Sequence, residues 1–306
     1  MSKRHQHEPL RRFNFGLVAE RLDGLLINVD RDLQRMTKKA EQVSDKSTAR
    51  CLTLLDVLIR FTTNSYHAVR YIAADTPEDH NRRPNYVLVV PTINRQLLDL
   101  LFSLVYMLDD FGARSLQYQR AGWREATEEQ HKLKSQFSGQ PEWRKHFRNV
   151  KQVLEHMSMV FGITDEERRN PKLIPYWKHP FELKDEPTES RPFLRYLDKW
   201  LYGDTSAQAH LSFGGLIMVG LFLVADIAGG ESQEIVKNRI THQYRFTQIS
   251  RTAVVTLAIA TEIDAHCRLR NNDAISYLWN IFADYVAEAK EMFEQRYEKL
   301  LRSSYG

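Results

Sequence analysis

The stretch FGLVAERLDGLLINVDRDLQRM, residues 15–36, decides the fold class. Phe15, Val18, Leu22, Leu25, Val29, Leu33 and Met36 recur every three or four residues. That spacing puts side chains on one face of an α-helix. The same period continues outward. A polar break at Ser44–Thr48, rich in helix-capping residues, separates this helix from a second one that carries Leu52, Leu55, Leu58, Ile59, Thr62, Tyr66, Val69 and Ile72. The second helix is expected to stop near Pro77, because proline cannot continue the hydrogen-bond ladder. Tyr86–Val90 is ambiguous between a short strand and the entry to a helix, and the helix entry is preferred because Pro91 suits a first turn. A third helix then runs from Thr92 to Asp110, and Gly112 is expected to break it. A fourth covers Ala113–Lys134, with Arg124, Glu125, Glu128, Glu129 and Lys132 on a charged outer face. Pro141 opens another, in which Trp143, Phe147, Val150, Leu154, Met157 and Phe161 repeat at helical spacing. Later helices are expected at Pro192–Tyr202, at Thr205–Ala228 and at Glu231–Arg268, the last long and amphipathic. Asp273 is placed to cap a final helix reaching Arg302. The reading is an all-α protein, a multi-helix bundle of about 8–9 helices.

The 306 residues include 43 Lys and Arg against 39 Asp and Glu, a net charge of +4, with 27% charged and 42% apolar residues. Such values exclude a disordered, collagen-like or disulfide-scaffold chain. Cys51 and Cys267 are the only cysteines. A disulfide framework and a four-cysteine zinc site are therefore excluded, and a cytoplasmic location is the simplest expectation. Residues 1–13 form a basic arm with Lys3, Arg4, His5, His7, Arg11 and Arg12. It reads as a solvated tail, or else as an arm that touches phosphates. Arg11–Arg12 is not an export signal, because Glu20, Arg21 and Asp23 follow where an apolar region is required. Residues 14–306 read as one helical domain. It is interrupted at 163–192, where Pro171, Pro175, Pro180, Pro187 and Pro192 make a long Pro-rich loop of the kind that is often functional.

Residues 205–225 carry no formal charge and meet the crude length test for a membrane span. Thr205, Ser206, Gln208, His210 and Ser212 weaken that test, and a helix buried on all sides is preferred. Polar groups inside apolar helices are the best lead to chemistry, because their burial is costly unless they are paired. Arg95 and Asp99 lie four apart and share a helix face. Tyr202, Ser206 and His210 also follow one another at helical spacing. A neutral His210 held by Ser206 could exchange protons. Glu262 and His266 form a third pair. The motifs that would make it a metal site are missing, and it reads as a partly exposed ion pair. No phosphate loop or dinucleotide fingerprint occurs, so no cofactor and no metal are expected.

Two segments carry a resemblance. Leu201–Tyr202–Gly203–Asp204–Thr205–Ser206–Ala207–Gln208–Ala209–His210–Leu211–Ser212 resembles the Tyr…Ser-x-x-x-His-x-Ser stretch of an uncharacterised bacterial all-helical family. That family also has Arg-x-x-x-Glu on an earlier apolar helix, matched here by Arg95 with Asp99, an acid one methylene shorter. More distantly the arrangement is similar to the HEPN helical bundles. Many of those are metal-independent ribonucleases of bacterial antiviral defence and toxin systems, often acting as dimers, with Arg-x(4–6)-His as hallmark. Arg124-x6-His131 fits that pattern formally, but its acidic neighbours would repel RNA and the match reads as chance.

The resemblance implies a HEPN-like ribonuclease or defence effector. The family motif itself does not supply this pair; from the residues, Arg95 and His210 on separate helices would play its part, His210 moving the proton, Arg95 stabilising phosphate charge with Asp99 fixing it, and Ser206 orienting the imidazole. RNA is then the partner, with no membrane involved. The alternative is a non-catalytic helical interaction module or sensor subunit, a homo-oligomer or a partner in a larger assembly. Its surface would be the first-helix stripe and Tyr277, Ile281, Tyr285, Met292 and Phe293.

Overall fold

The computed structural model describes residues 15–73, 89–203, 205 and 231–305. Among them there is no strand, and nine helices are seven residues or longer. The protein is all-α. In chain order the helices are α1 (Phe15–Gln42), α2 (Lys46–Ala73), α3 (Val90–Leu108), α4 (Phe111–Phe137), α5 (Trp143–Val160), α6 (Asp165–Arg169), α7 (Pro180–Leu183), α8 (Arg191–Leu197), α9 (Glu231–Cys267), α10 (Asn272–Tyr285), α11 (Ala287–Met292) and α12 (Glu298–Tyr305). The chain read as one domain packs as two compact units. One comprises Met1–Arg31, Ile59–Leu97 and Thr205–Gly306, the other Asp32–Leu58 and Leu98–Asp204.

In the first unit the centre is α9. Fourteen consecutive residues, 252–265, are buried, so this part of the helix is enclosed on every side rather than amphipathic as its sequence suggested. Its polar groups misled the periodicity, and each of those named here is satisfied locally, as burial demands. Thr261 Oγ1 donates to the Leu257 carbonyl and accepts from Trp279 Nε1 at 3.0 Å. Thr252 Oγ1 donates to Asn94 Oδ1 at 2.6 Å, and Asn94 Nδ2 donates to Gln248 Oε1 at 3.1 Å. The helix expected at Thr205–Ala228, which was to hold that enclosed position, lies outside the described residues beyond Thr205.

The apolar stripe of α1 is core in this unit, with Val18, Leu22, Leu25 and Val29 at most 3% exposed, and so offers no partner surface. The final helix is not continuous. Val286 is extended (φ −126°, ψ 107°), and a wide π turn follows at Phe293–Tyr297. Together they return the Tyr297 ring to stack on Trp279, centroids 4.6 Å apart. Asn271, not Asp273, takes the cap position of α10. Its amide is engaged by Asp264 Oδ1 at 2.7 Å.

In the second unit, α3 ends before an Asp109–Asp110 turn. Gly112 lies inside α4 rather than breaking the chain, because Asp110 already supplies the non-helical backbone (φ −149°) at the cap. α4 and α5 form an antiparallel hairpin rooted on the cluster Trp123, Leu154, Ile163 and Ile174. α5 stops at Gly162, whose φ of +61° is a left-handed conformation that suits glycine. Two bonds close this end, from Gly162 N to Met159 O and from Ile163 N to Ser158 O at 2.9 Å.

The Pro-rich segment beyond it is less irregular than expected. A capping box of Thr164 and Glu167 starts α6. Pro171 opens a single 3-10 turn and Pro180 opens α7. Polar clamps fasten the segment. Arg120 pairs with Glu167. Arg124 donates to the Ile174 carbonyl at 2.5 Å and to Glu128 at 2.9 Å, and its guanidinium sits 3.5 Å from the Tyr176 ring centroid. Trp177 Nε1 donates to Ser103 Oγ at 3.0 Å.

Candidate functional site

Of the five site residues predicted from sequence, three (Arg95, Asp99 and Tyr202) are among the described residues. Arg95 and Asp99 lie four residues apart on the single helix α3, with Arg95 buried, and Tyr202 ends the π turn after α8. Ser206 and His210 lie outside the described residues, as do the basic arm at 1–13 and the segment 206–225. Arg124 was assigned to an exposed face but is 8% exposed. Its contacts with Glu128, Ile174 and Tyr176 occupy the guanidinium, so Arg124-x6-His131 contributes a clamp on the Pro-rich segment.

Tyr202 has an unforeseen neighbour. It ends a π turn, Asp198–Tyr202, that continues α8. Its ring is fully buried against Phe102 and Phe181. Its hydroxyl faces Nε2 of His179 at 3.5 Å. His179 caps α7, its Nδ1 accepting the Phe181 backbone N–H at 3.3 Å. The exposed imidazole is therefore pinned through one nitrogen while the other addresses a buried phenol. The nearby cations are committed, Lys184 to Asp198 at 2.6 Å and Lys178 to Glu186 at 2.5 Å. The pair is thus a polar contact beside two lysines that are already ion-paired. The signal in the sequence was His179 immediately before Pro180, a cap position inside the Pro-rich segment.

A second feature of the same unit is electrostatic. Between Thr127 on α4 and Leu154 on α5, none of the 26 intervening residues is buried. The hairpin projects as an arm. It is held by its own aromatics, with Phe137 stacked on Trp143 (4.6 Å, 8°) and Phe147 on the indole at 5.7 Å. Of the apolar residues that repeat at helical spacing from Trp143 to Phe161, Trp143 and Phe147 thus pack outside the buried core.

The arm's residues 128–153 hold Lys132, Lys134, Arg144, Lys145, Arg148 and Lys151 against Glu128, Glu129 and Glu142, a net of +3 out of the whole chain's +4. Lys132 reaches Glu129 at 3.8 Å and Lys151 reaches Glu155 at 3.5 Å. Among the described residues Lys134, Arg144, Lys145 and Arg148 form no ion pair. All four are exposed.

Elsewhere the polar groups are structural. Glu262, read as half of a partly exposed ion pair with His266, is 2% exposed and held by Arg296 through Nε and Nη2, the latter at 2.9 Å. Burial beside this carboxylate pushes the Tyr297 phenol far above its ordinary range. Among the described residues no three His, Cys, Asp or Glu side chains are grouped to hold a metal ion, and no helix is long and apolar enough to cross a membrane. A hollow of about 460 Å³ in the first unit is lined by Arg21, Asp273, Ala274 and Tyr277.

Comparison with known proteins finds no family model, no curated protein and no solved structure that matches this chain.

Proposed function

We propose that this protein binds RNA and that the arm formed by α4 and α5 is the surface that meets the phosphates. The observation that carries the reading is the group of four exposed cations without an ion pair among the described residues, Lys134, Arg144, Lys145 and Arg148, on a projection (residues 128–153) of net charge +3 with no buried side chain. Clustered cations on one face are the electrostatic footprint of a nucleic-acid binder. The test is fluorescence anisotropy of the full chain with a labelled 20-nucleotide single-stranded RNA in 50 mM salt. Saturable binding is expected, and K134E/R144E/K145E/R148E should weaken it by at least about a hundredfold, since each lost phosphate contact lowers affinity steeply at low salt. A wild-type chain that leaves the RNA free ends the reading.

Catalysis is a further step of the same proposal. A HEPN-like, metal-independent ribonuclease would use His210 for proton transfer and Arg95 for phosphate charge, with Asp99, Ser206 and Tyr202 positioning them. Arg95→Ala and His210→Ala, each compared with wild type for RNA cleavage in EDTA, decide it. Equal cleavage by the variants removes the site.

A second reading, a helical interaction module, is favoured by one observation in the first unit. Ile27, Phe61 and Tyr71 are 62%, 44% and 69% exposed on α1 and α2. Under it F61E/Y71E lowers the mass measured by light scattering, and an unchanged mass rejects it.

A further inference from the structure

We propose that the arm grips the nucleic-acid backbone by charge alone and does not read bases. The inference rests on the RNA-binding reading and names the kind of ligand its surface takes.

Sequence-tolerant single-strand binders usually combine a cationic track with open aromatic faces on which bases stack. Here the aromatic faces are already used. Phe137 lies parallel to the Trp143 indole at 4.6 Å, Phe147 packs on it at 5.7 Å and 29°, and His146 sets its ring at 85° to it. Trp143, Phe137 and Phe147 are each half-buried by one another. The mutually stacked faces of these rings are therefore closed to a base. The cations, in contrast, all point outward. Arg144, Arg148 and Lys151 fall at i, i+4 and i+7, one line on α5 that spans about 10.5 Å. Lys145 stands beside that line, and Lys132 and Lys134 are supplied by α4. Glu155 closes the line through its pair with Lys151. Such a surface meets phosphates and is indifferent to what they link, whether single-stranded or duplex, RNA or DNA.

Charge-only binding makes affinity follow the arm's net charge, wherever the charges sit. The experiment measures salt dependence of binding by the full chain to U20, to C20 and to a mixed 20-nucleotide RNA. Phosphatidylserine–phosphatidylcholine vesicles are the comparison ligand. The three RNAs are expected to bind within about threefold of one another, with log K falling with log salt at about 0.7 per contacted phosphate. R144Q/R148Q should make that slope shallower by about 1.4, which is two contacts at the same coefficient. Adding E142K to that variant returns the two lost charges and should restore the affinity and the steeper slope. A preference above tenfold between U20 and C20, or a slope that the charge variants leave unmoved, overturns the inference while RNA binding itself stands. Binding to the vesicles with none to any RNA overturns the RNA-binding reading beneath it.

Discussion

At its root the α4–α5 hairpin buries Trp123 and Leu154 against Ile163 and Ile174, and the Trp123 indole donates to the Leu154 carbonyl at 2.9 Å. About two to four turns further along the same helices, Phe137, Trp143 and Phe147 touch mainly each other and remain partly exposed. The residue types at the two ends are alike. They differ in what the rest of the chain brings to them. At the root, the Gly162 turn swings Ile163 back onto α5, and the clamped Pro-rich segment lays Ile174 on the same spot. The tip receives no such cover, and its outer surface is left to lysine and arginine. A core-type pattern therefore becomes an anchor at one end and a self-supporting charged arm at the other.

The sharpest way to break this comparison is truncation at each end. Trp123→Ala should destabilise the protein by about 3–5 kcal/mol, the range for emptying a large aromatic site in a core. Phe137→Ala should cost about 1 kcal/mol, because the area it loses is already wet. Equal shifts in urea midpoint would mean that the tip is as much core as the root.

A smaller effect is expected at the clamps. Tyr176→Phe removes the hydroxyl that donates to Glu128, and it should speed limited proteolysis between residues 168 and 179 without shifting the urea midpoint. Cleavage at an unchanged rate would mean that packing alone holds the Pro-rich segment down.

The same clamps predict a pH dependence. The Tyr176 hydroxyl and then Arg124 hold the Glu128 carboxyl below its ordinary value of 4.5. The Thr164 backbone N–H, aided by Arg120, does the same for Glu167. A carboxyl depressed in the folded state contributes fully above its unfolded pKa and loses the contribution as pH falls through the folded value. Proteolysis of the segment should therefore stay slow down to about pH 4.5 and accelerate below it, with the Glu128→Gln protein losing part of that acid response. A profile identical to wild type in that variant would separate the segment from its carboxylates.

The smallest effect belongs to the tip. Gly139 has open space around it and no left-handed backbone, so Gly139→Ala should change stability by a few tenths of a kcal/mol, toward greater stability. A large loss there would reveal a tip packed more tightly than its exposure implies.

Much of the architecture was legible. Phe15–Gln42 and Lys46–Ala73 fall within a few residues of the expected bounds, and Glu231–Cys267 within one. The enclosure of α9 was not, because Thr252, Thr256, Thr261, Glu262 and Asp264 imitate a polar face. Hydroxyls of Thr252 and Thr261 turn back to carbonyls four residues earlier, and Arg296 reaches Glu262 from 34 residues away. The interruption at Val286 carries no proline or glycine to announce it. Of the candidate site, Tyr202 was nominated with Ser206 and His210, whereas its described polar neighbour is His179, 23 residues upstream. The basic run from Lys132 to Lys151 was visible residue by residue, but only its common exposure makes it a surface.

The sequence by itself determined that the chain is helical and where most helices lie. A helix is closed by bonds four residues apart and advertised by a period of the same length, so both signals are local. Tertiary structure alone decided which apolar stripes became core, which buried acids found cations, and which aromatics were left to stack on each other under a coat of charge. Those outcomes depend on segments distant in the chain arriving at the same place, and no local period records that.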